Sequence, residues 1–206
     1  MRILKIDASA NPNGNSRVLT QYLVENLAEQ HGSNQNSAEI IIRDVASDPL
    51  PTMSAETLMA FYTYSERNDV SEDVKHHLAL SEKLIEELKS ADVVVLGVPM
   101  YNFGIPAHLR NWIDHVARQG VTFRYGENGP EGLIGSTRVY LVATSGGTPI
   151  GGAADHSSTH ATQVFGFLGA TQIEVIDAGG SKGAPDVVIA AAKTQIDETL
   201  QLAQSA

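Results

Sequence analysis

The chain of 206 residues is 42% apolar and 18% charged, a balance that favours one packed globular domain and argues against disorder. It contains no cysteine, which excludes disulfides and thiolate chemistry and predicts a cytoplasmic location. Its formal net charge of −10 predicts that it does not bind nucleic acid. It has no apolar stretch of roughly 20 residues, so we expect no membrane partner.

Short apolar runs and helical periodicity alternate through the first half of the chain. Residues 3–6 predict a buried first strand, and the polar residues 7–15 form a loop rich in turn-forming residues. Apolar residues at helical spacing over 18–27 predict a helix, and residues 39–45 predict the second strand. Residues 53–71 have weak periodicity and three aromatic side chains, which predicts an elaborated and partly helical connection.

The second half of the chain continues the alternation. Residues 74–89 predict a helix, and the continuous apolar run at 93–98 is typical of a central parallel strand. A helix follows Pro106, and the glycine-rich residues 121–136 predict a loop or a small hairpin. The remaining predicted elements are a fourth strand at 139–143, a helix at 155–168, a fifth strand at 173–176 and a last helix at 189–200.

This alternation predicts an α/β fold, in which a parallel sheet carries helices on both faces. We expect a single domain over 1–206, with elaborated segments near 49–72 and 121–136. In such sheets ligands bind beyond the carboxyl ends of the strands, where the strand order reverses. The loops after strands one, three and four are therefore the candidate site.

The loop after the first strand has the composition of a phosphate-binding loop. Ser9 and Ser16 offer hydroxyl donors, Gly14 permits tight curvature, and the helix that starts near Asn15 adds free backbone N–H groups. Arg17 lies where its side chain can assist from the rim. The alternative is an ordinary turn, in which Asn15 or Ser16 only caps the helix.

The loop after the third strand offers a surface on which a flat ring can lie. Met100, Tyr101 and Phe103 supply flat or soft apolar surface, and Asn102 supplies a donor and an acceptor. An isoalloxazine ring needs such a surface together with a donor near its N5 atom. We predict that the backbone N–H groups of Asn102 and Phe103 orient N5. The alternative is a hydrophobic plug beneath the following helix.

The loop after the fourth strand contains Thr144, Ser145, Gly146 and Gly147. Paired glycines let backbone N–H groups approach a ligand closely, for example the pyrimidine edge of a flavin, where they would stabilise negative charge on the reduced ring. The alternative is a flexible loop. The chain lacks G-x-G-x-x-G after its first strand and lacks G-x-x-x-x-G-K-[ST], which disfavours a Rossmann dinucleotide site and a P-loop.

The histidines and the serine before the paired glycines indicate no rival chemistry. His156 and His160 are four residues apart on a predicted helix but lack the carboxylate of H-E-x-x-H, so we interpret them as solvated and predict no metal. His76 and His77 are interpreted as an exposed helix face. Ser145 lacks the G-x-S-x-G setting of a hydrolase nucleophile.

Two segments resemble one known family. Residues 99–103, which read P-M-Y-N-F, and residues 120–125, which read G-V-T-F-R-Y, are similar to segments of the FMN-dependent NADH:azoreductases, also called FMN-dependent NADH:quinone oxidoreductases. The similarity extends over nearly the whole chain, with the serine-bearing first loop and the Ser-Gly-Gly loop in matching order. It implies a flavodoxin-like three-layer sandwich with a five-stranded parallel sheet of order 2-1-3-4-5.

The resemblance also implies a cofactor and a reaction. One FMN would bind per subunit of a homodimer whose two active sites lie at the interface. NADH or NADPH would reduce FMN and leave, and a quinone or an azo compound would then take the electrons in a ping-pong reaction. The implied cofactor contacts are Ser9, Asn15, Ser16, Arg17, Met100, Tyr101, Asn102, Phe103, Thr144, Ser145, Gly146 and Gly147. The substrate pocket would be lined by Phe61, Tyr64, Phe123 and Tyr125, with no side chain acting as nucleophile or acid–base catalyst.

Two other flavin functions fit the same loops. A flavin-bearing electron carrier would serve a protein partner, but the two elaborated segments suit the walls of a substrate pocket better than a minimal carrier. A reductase that releases reduced FMN as its product is the third interpretation, and tight retention of FMN would argue against it. Departures from the family pattern at Ser145 and over 61–68 leave the substrate range and the choice between NADH and NADPH open.

Overall fold

Strands and helices alternate along the chain as predicted. The computed structural model describes residues 1–31, 37–63 and 70–204. The strands are Arg2–Asp7 (β1), Glu39–Asp44 (β2), Val93–Pro99 (β3), Phe123–Gly126 (β4), Gly129–Gly132 (β5), Arg138–Thr144 (β6) and Gln172–Ala178 (β7). The helices are Asn15–His31 (α1), Ala55–Thr63 (α2), Glu72–Lys89 (α3), Ala107–Val116 (α4), Ser158–Leu168 (α5) and Pro185–Gln204 (α6). No helix in the described ranges is long and apolar enough to cross a membrane.

Five parallel strands form the central sheet, in the order β2-β1-β3-β6-β7. Because β6 and β7 are the fourth and fifth strands of this sheet in chain order, the predicted order 2-1-3-4-5 is confirmed. The order reverses between β1 and β3, where Leu4 pairs with Val94. Connections leave these two strands towards opposite sides of the sheet, which opens a crevice at their carboxyl ends.

Each face of the sheet is covered by its own helices. Helices α1 and α6 pack over one face, where Ile3 and Val95 are buried. Helices α3, α4 and α5 pack over the other face, where Leu4, Trp112 and Phe165 are buried. Ile3 and Leu4 belong to different cores because successive side chains of a strand point to opposite faces. The sheet is thus the middle layer of a three-layer sandwich.

The two segments predicted to be elaborated contain a short helix and a hairpin. Helix α2 packs on α3 through Phe61, Val74 and Leu78. Strands β4 and β5 pair as an antiparallel hairpin, the second of the two alternatives for residues 121–136. The hairpin lies against the end of α5, where the Ile134 N–H donates to the Leu168 carbonyl at 3.1 Å.

The beginning of α5 differs from the prediction. The helix starts at Ser158 because the buried Asp155 carboxylate accepts hydrogen bonds from the N–H groups of Ser157 and Ser158, at 3.0 and 2.9 Å, and so caps the first turn. His156 therefore precedes the helix, and His160 is half-buried. His156 is exposed, as a solvated residue should be, but the interpretation is wrong in placing it in the helix and in taking His160 as fully solvated.

A buried histidine pair joins α3 to α4, and the prediction that His77 is exposed is wrong. His77 follows Val74 by three residues and so lies on the buried stripe of α3. Its ring stacks on that of His115 with the centroids 5.5 Å apart, and its Nδ1 lies 3.3 Å from Nε2 of His115. Burial lowers the pKa of His115, which favours the neutral ring.

Candidate functional site

The three predicted loops meet around one cavity at the carboxyl edge of the sheet. The cavity has a volume of about 240 Å³. It is lined by Ser9, Asn11, Gly14, Asn15, Ser16, Pro99, Met100, Tyr101, Thr144, Ser145, Gly146 and Ser181. Eight of the twelve predicted cofactor contacts are in this set, and Arg17, Asn102, Phe103 and Gly147 are outside it.

The loop after β1 is closely folded on itself at the start of α1. The Ser9 hydroxyl lies 3.2 Å from both the backbone N–H and the carbonyl oxygen of Asn11. A Cβ atom on Gly14 would overlap the Ser9 hydroxyl and stand 3.1 Å from the Asn11 carbonyl oxygen, so a larger residue would displace the Ser9 side chain. Helix α1 has no acidic residue in its first turn. The N–H groups of Arg17 and Val18 donate to the Gly14 carbonyl at 2.9 and 3.2 Å, which leaves those of Asn15 and Ser16 without an acceptor in the helix. This loop can therefore receive an anion without a basic side chain.

Arg17 does not serve as the rim residue that the sequence predicted. Its Nε and Nη2 donate to the Ser9 carbonyl at 3.0 and 2.7 Å, and its Nη1 donates to Asp44 at 2.7 Å. Because these acceptors occupy the guanidinium, the side chain holds the loop from outside the cavity. The predicted direct contact between the Arg17 side chain and the cofactor is corrected accordingly.

The residues after β3 form a two-residue turn with an uncommon backbone conformation. Tyr101 and Gly104 exchange backbone hydrogen bonds of 2.9 and 3.1 Å. Between them, Asn102 and Phe103 have φ values of 51° and 69°, the pattern of a type I′ turn. In such a turn the two central N–H groups make no ladder bond and remain available to a ligand. The Phe103 carbonyl accepts from the His156 N–H at 3.0 Å, which fixes the turn in place.

Tyr101 links this turn to the first loop. Its hydroxyl accepts a hydrogen bond from the Ala10 N–H at 3.1 Å and lies 3.5 Å from the Ser9 hydroxyl. The Met100 N–H donates to the Thr144 carbonyl at 2.8 Å, which links the turn to the loop after β6 as well. The three loops are thus hydrogen-bonded to one another.

The loop after β6 exposes the backbone of both predicted glycines. A Cβ atom on Gly146 or Gly147 would meet nothing within 4 Å, so a ligand can approach their N–H groups closely. Ser145 anchors this loop, because its hydroxyl donates to the Thr148 carbonyl and its own carbonyl accepts from the Ser181 N–H at 3.1 Å. Sequence reasoning missed Ser181 and Asn11, although Ser181 follows the strand next to β6 and could have been found by the same strand-end rule.

The predicted substrate residues divide into three groups. Phe123 is half-buried in the hairpin and its ring centroid lies 4.6 Å from that of Phe167, while Tyr125 is exposed. Phe61 is buried with Val74 and Leu78, and its ring meets that of His115 edge-on with the centroids 6.2 Å apart, so the prediction that it lines the pocket is corrected. Tyr64 lies outside the described residues.

Comparison with known proteins identifies the family. Residues 1–200 match the family model described as the flavodoxin-like fold. The chain is 40% identical over 202 residues to FMN-dependent NADH:quinone oxidoreductase 1 of Hahella chejuensis, covering 98% of this chain and 96% of that protein. It is 41% identical over 189 residues to an FMN-dependent NADH:quinone oxidoreductase of Alcanivorax borkumensis, covering 91% and 92%. The chain belongs to the FMN-dependent NADH:quinone oxidoreductase family.

Solved structures agree with this family assignment. An azoreductase from Bacillus anthracis str. Sterne superposes with a TM-score of 0.85 at 26% identity, over 97% of this oxidoreductase chain and 98% of that one. An FMN-dependent NADH-azoreductase from Bacillus anthracis str. Ames Ancestor, solved in complex with FMN, has a TM-score of 0.84 at 22% identity and 96% coverage of both chains, which supports the shared fold alone.

The cavity of this family member fits FMN. The start of α1 supplies free N–H groups and has no acidic residue in its first turn, which suits a phosphate dianion. The open backbone at Gly146 and Gly147 leaves room for a ring edge that no Cβ obstructs. Phe103 is 56% exposed, so its ring and the turn beneath it are accessible from outside. The described residues contain no group of three or more His, Asp or Glu side chains that could hold a metal ion.

Proposed function

We propose that this protein is an FMN-dependent NADH:quinone oxidoreductase that also reduces the azo bonds of aromatic azo compounds. The observation that carries the proposal is the convergence of three hydrogen-bonded loops around one cavity, in a chain about 40% identical over nearly its whole length to enzymes of that name. When bound, FMN supplies the transfer of two electrons from a nicotinamide to the acceptor. The protein itself supplies binding and orientation.

Each loop has one task in this proposal. The first turn of α1, with Ser9, Asn15 and Ser16, binds the phosphate through backbone and hydroxyl donors. The turn at Asn102 and Phe103 presents its free N–H groups and an apolar surface to the ring. The loop after β6 presents N–H groups that stabilise negative charge at the pyrimidine edge of the ring.

A homodimer is the state in which we propose that the enzyme works, as the family resemblance implies. The support is an apolar hollow of about 610 Å³ beside α5, lined by residues that include Ile150, Phe167 and Val175. Tyr125 is 66% exposed on the nearby hairpin. Sedimentation velocity at micromolar concentration should give a single species of twice the chain mass. A cytoplasmic location stays a prediction, supported by the cysteine-free sequence.

Steady-state kinetics test the proposed reaction. With NADH and a benzoquinone varied together, we expect parallel double-reciprocal lines, because NADH must leave before the acceptor binds the same face of the ring. The same rates measured with NADPH in place of NADH show which nicotinamide the enzyme prefers. Rates measured with an azo dye in place of the quinone test the second class of acceptor. FMN that is reduced by neither nicotinamide would contradict the proposal and favour an electron carrier.

A further inference from the structure

The first loop of the cavity is held from beneath by a guanidinium. We propose that Arg17 is a positioning residue for the FMN phosphate: fixed by Asp44, it holds the carbonyl of Ser9 and thereby gives residues 9–16 the shape that receives the phosphate. This role rests on the proposed binding of FMN. It explains why the guanidinium nearest to the phosphate loop points away from the cavity, although the loop binds a dianion.

The guanidinium joins the end of β2 to the loop after β1. Its Nε and Nη2 donate to the Ser9 carbonyl at 3.0 and 2.7 Å. Its Nη1 and Nη2 donate to the two carboxylate oxygens of Asp44 at 2.7 and 2.8 Å. The side chain is only 15% exposed. A planar fork can serve the carbonyl and the carboxylate together, whereas the single ammonium of lysine cannot hold both in this geometry.

Asp44 is itself fixed, so the anchor is rigid. Its Oδ1 accepts from the N–H groups of Ala46 and Ser47 at 3.1 and 3.0 Å, and its Oδ2 accepts from the Ser47 hydroxyl at 2.9 Å. The hydrogen bond from Arg17 is the largest effect on this carboxyl and holds its pKa well below the usual range. The lowered pKa favours the charged carboxylate, which is the form that accepts the hydrogen bonds from Arg17.

The charges under the loop balance. Asp7 pairs with Asp44 in the parallel register, which places two carboxylates side by side. Lys5 bonds Asp7 at 2.8 Å, and Arg17 lies 3.7 Å from Asp7 while it bonds Asp44, so two cations face two carboxylates. Without the guanidinium the cluster would carry net negative charge close to the place of a dianion. Arg17 thus contributes both shape and neutralisation.

The Ser9 carbonyl is the point where this anchor reaches the cavity wall. The hydroxyl of the same residue bonds the backbone of Asn11, and the Asn11 carbonyl accepts from the Gly14 N–H at 3.0 Å. Asn11 and Gly14 both line the cavity. A change in the direction of the Ser9 carbonyl would therefore alter the curvature of the whole loop.

The Arg17→Lys variant tests this role by comparing FMN with riboflavin, which lacks the phosphate. Dissociation constants of the apoprotein are measured by quenching of flavin fluorescence. We expect the dissociation constant for FMN to rise about tenfold, the scale of one or two lost charged hydrogen bonds, while that for riboflavin stays within about twofold. Arg17→Gln, which also removes the charge, should raise the dissociation constant for FMN further. Asp44→Asn should likewise reduce the preference for FMN over riboflavin.

Arg43→Lys is the matched control. Arg43 precedes Asp44 on strand β2, so its side chain points to the opposite face of that strand. It forms a forked pair with Glu87, in which Nε and Oε2 are 3.1 Å apart, and is 12% exposed. This variant should lower the unfolding midpoint as Arg17→Lys does and leave the FMN dissociation constant within about twofold. A general loss of stability is thereby separated from the positioning effect.

Three results would overturn the inference. If Arg17→Lys weakens the binding of FMN and of riboflavin equally, the role of Arg17 is merely structural. If the variant leaves both dissociation constants unchanged, Arg17 has no role in binding. In either case wild-type protein that binds FMN leaves the proposed function intact. Wild-type protein that binds neither flavin would remove the proposed function and this inference together.

Discussion

Phe103 has a backbone conformation that an aromatic residue rarely adopts. Its φ of 69° lies in the left-handed region, where a Cβ crowds the following carbonyl, and Asn102 beside it has a φ of 51°. Hydrogen bonds on both sides of the turn hold this conformation. Strain kept in this way at a ligand-facing turn indicates that the direction of the N–H groups matters more than local stability.

Replacement of Phe103 by glycine and by alanine isolates the strain. Phe103→Gly should be about 1 kcal/mol more stable than Phe103→Ala, because only glycine accepts the positive φ without cost. The same pair of changes at the exposed Tyr125, in strand β4, should show the opposite order, since glycine weakens a strand. Urea unfolding of the apoprotein measures both differences. Equal stability of the two Phe103 variants would contradict a strained turn.

The directions in which the Arg17 and Phe61 side chains point could not be predicted from the sequence. Arg17 sits at the predicted phosphate loop, yet its guanidinium bonds Asp44, which the sequence places 27 residues away. The resemblance implies that Phe61 lines the substrate pocket, whereas its position in α2 directs it to the core. Both outcomes depend on packing between distant elements, which local pattern does not encode.

The hairpin of β4 and β5 reaches its place through a close approach of two glycines. A Cβ atom on Gly132 would overlap the backbone of Leu168 and Gly169, at the left-handed end of α5. The contact positions Phe123 against Phe167. The hairpin is therefore attached to α5 by backbone contact that tolerates no side chain.

Gly132→Ala should consequently destabilise the protein by about 1–3 kcal/mol, the usual cost of overpacking. Gly166→Ala is the control, because the nearest atom to its Cβ within 4 Å is the tip of Ile173 and alanine favours the helix, so stability should rise by up to about 1 kcal/mol. Denaturant midpoints of both variants test this contrast. A Gly132→Ala variant as stable as wild type would show that the hairpin can move off α5 freely.

Asp155 makes the start of α5 sensitive to acid. Burial alone would raise the pKa of this carboxyl, but hydrogen bonds from Ser158, Gly151 and Ser157 outweigh it and lower the pKa. A lowered pKa in the folded state adds stability that is complete above the unfolded value of about 3.9 and disappears as the pH falls through the folded value.

The Asp155→Asn variant should therefore be about 1 kcal/mol less stable than wild type at pH 7, with the gap narrowing below about pH 4. Urea unfolding at several pH values measures the difference. Glu174→Gln, on the partly exposed outer strand β7, serves as the control and should show no comparable gap. A gap for Asp155→Asn that is constant down to pH 3 would contradict the assigned role of the carboxylate.

At the scale of the whole molecule, alternation predicts the parallel sheet with helices on both faces, and the family resemblance supplies the strand order. The apolar run of β3 predicted a central strand, and Val93, Val94 and Val95 are all buried there. Residues 121–136 do not distinguish a loop from a hairpin. Strands β4 and β5 have only four residues each and contain three glycines between them, so they show little hydrophobic alternation. The boundary of α5 was missed because a side-chain cap, rather than periodicity, decides where the helix starts.

The carboxyl-edge rule predicted the position of the site from topology. It brought together loops separated by more than 130 residues, from Ser9 to Ser145, without any information on side-chain contacts. Extended to the end of β7, the same rule also predicts Ser181 at the site. The interpretation of residues 1–206 as one domain stays a prediction, as does the dimer.

An anaerobic titration of the FMN-loaded protein with NADH tests the central claim most directly. One equivalent of NADH per bound FMN should bleach the visible flavin band completely, and one equivalent of a benzoquinone should restore it, because the flavin carries two electrons from donor to acceptor. Retention of the flavin through gel filtration beforehand establishes that FMN is a bound cofactor. A flavin band that NADH and NADPH leave unchanged, or a protein that retains no flavin, would contradict the claim.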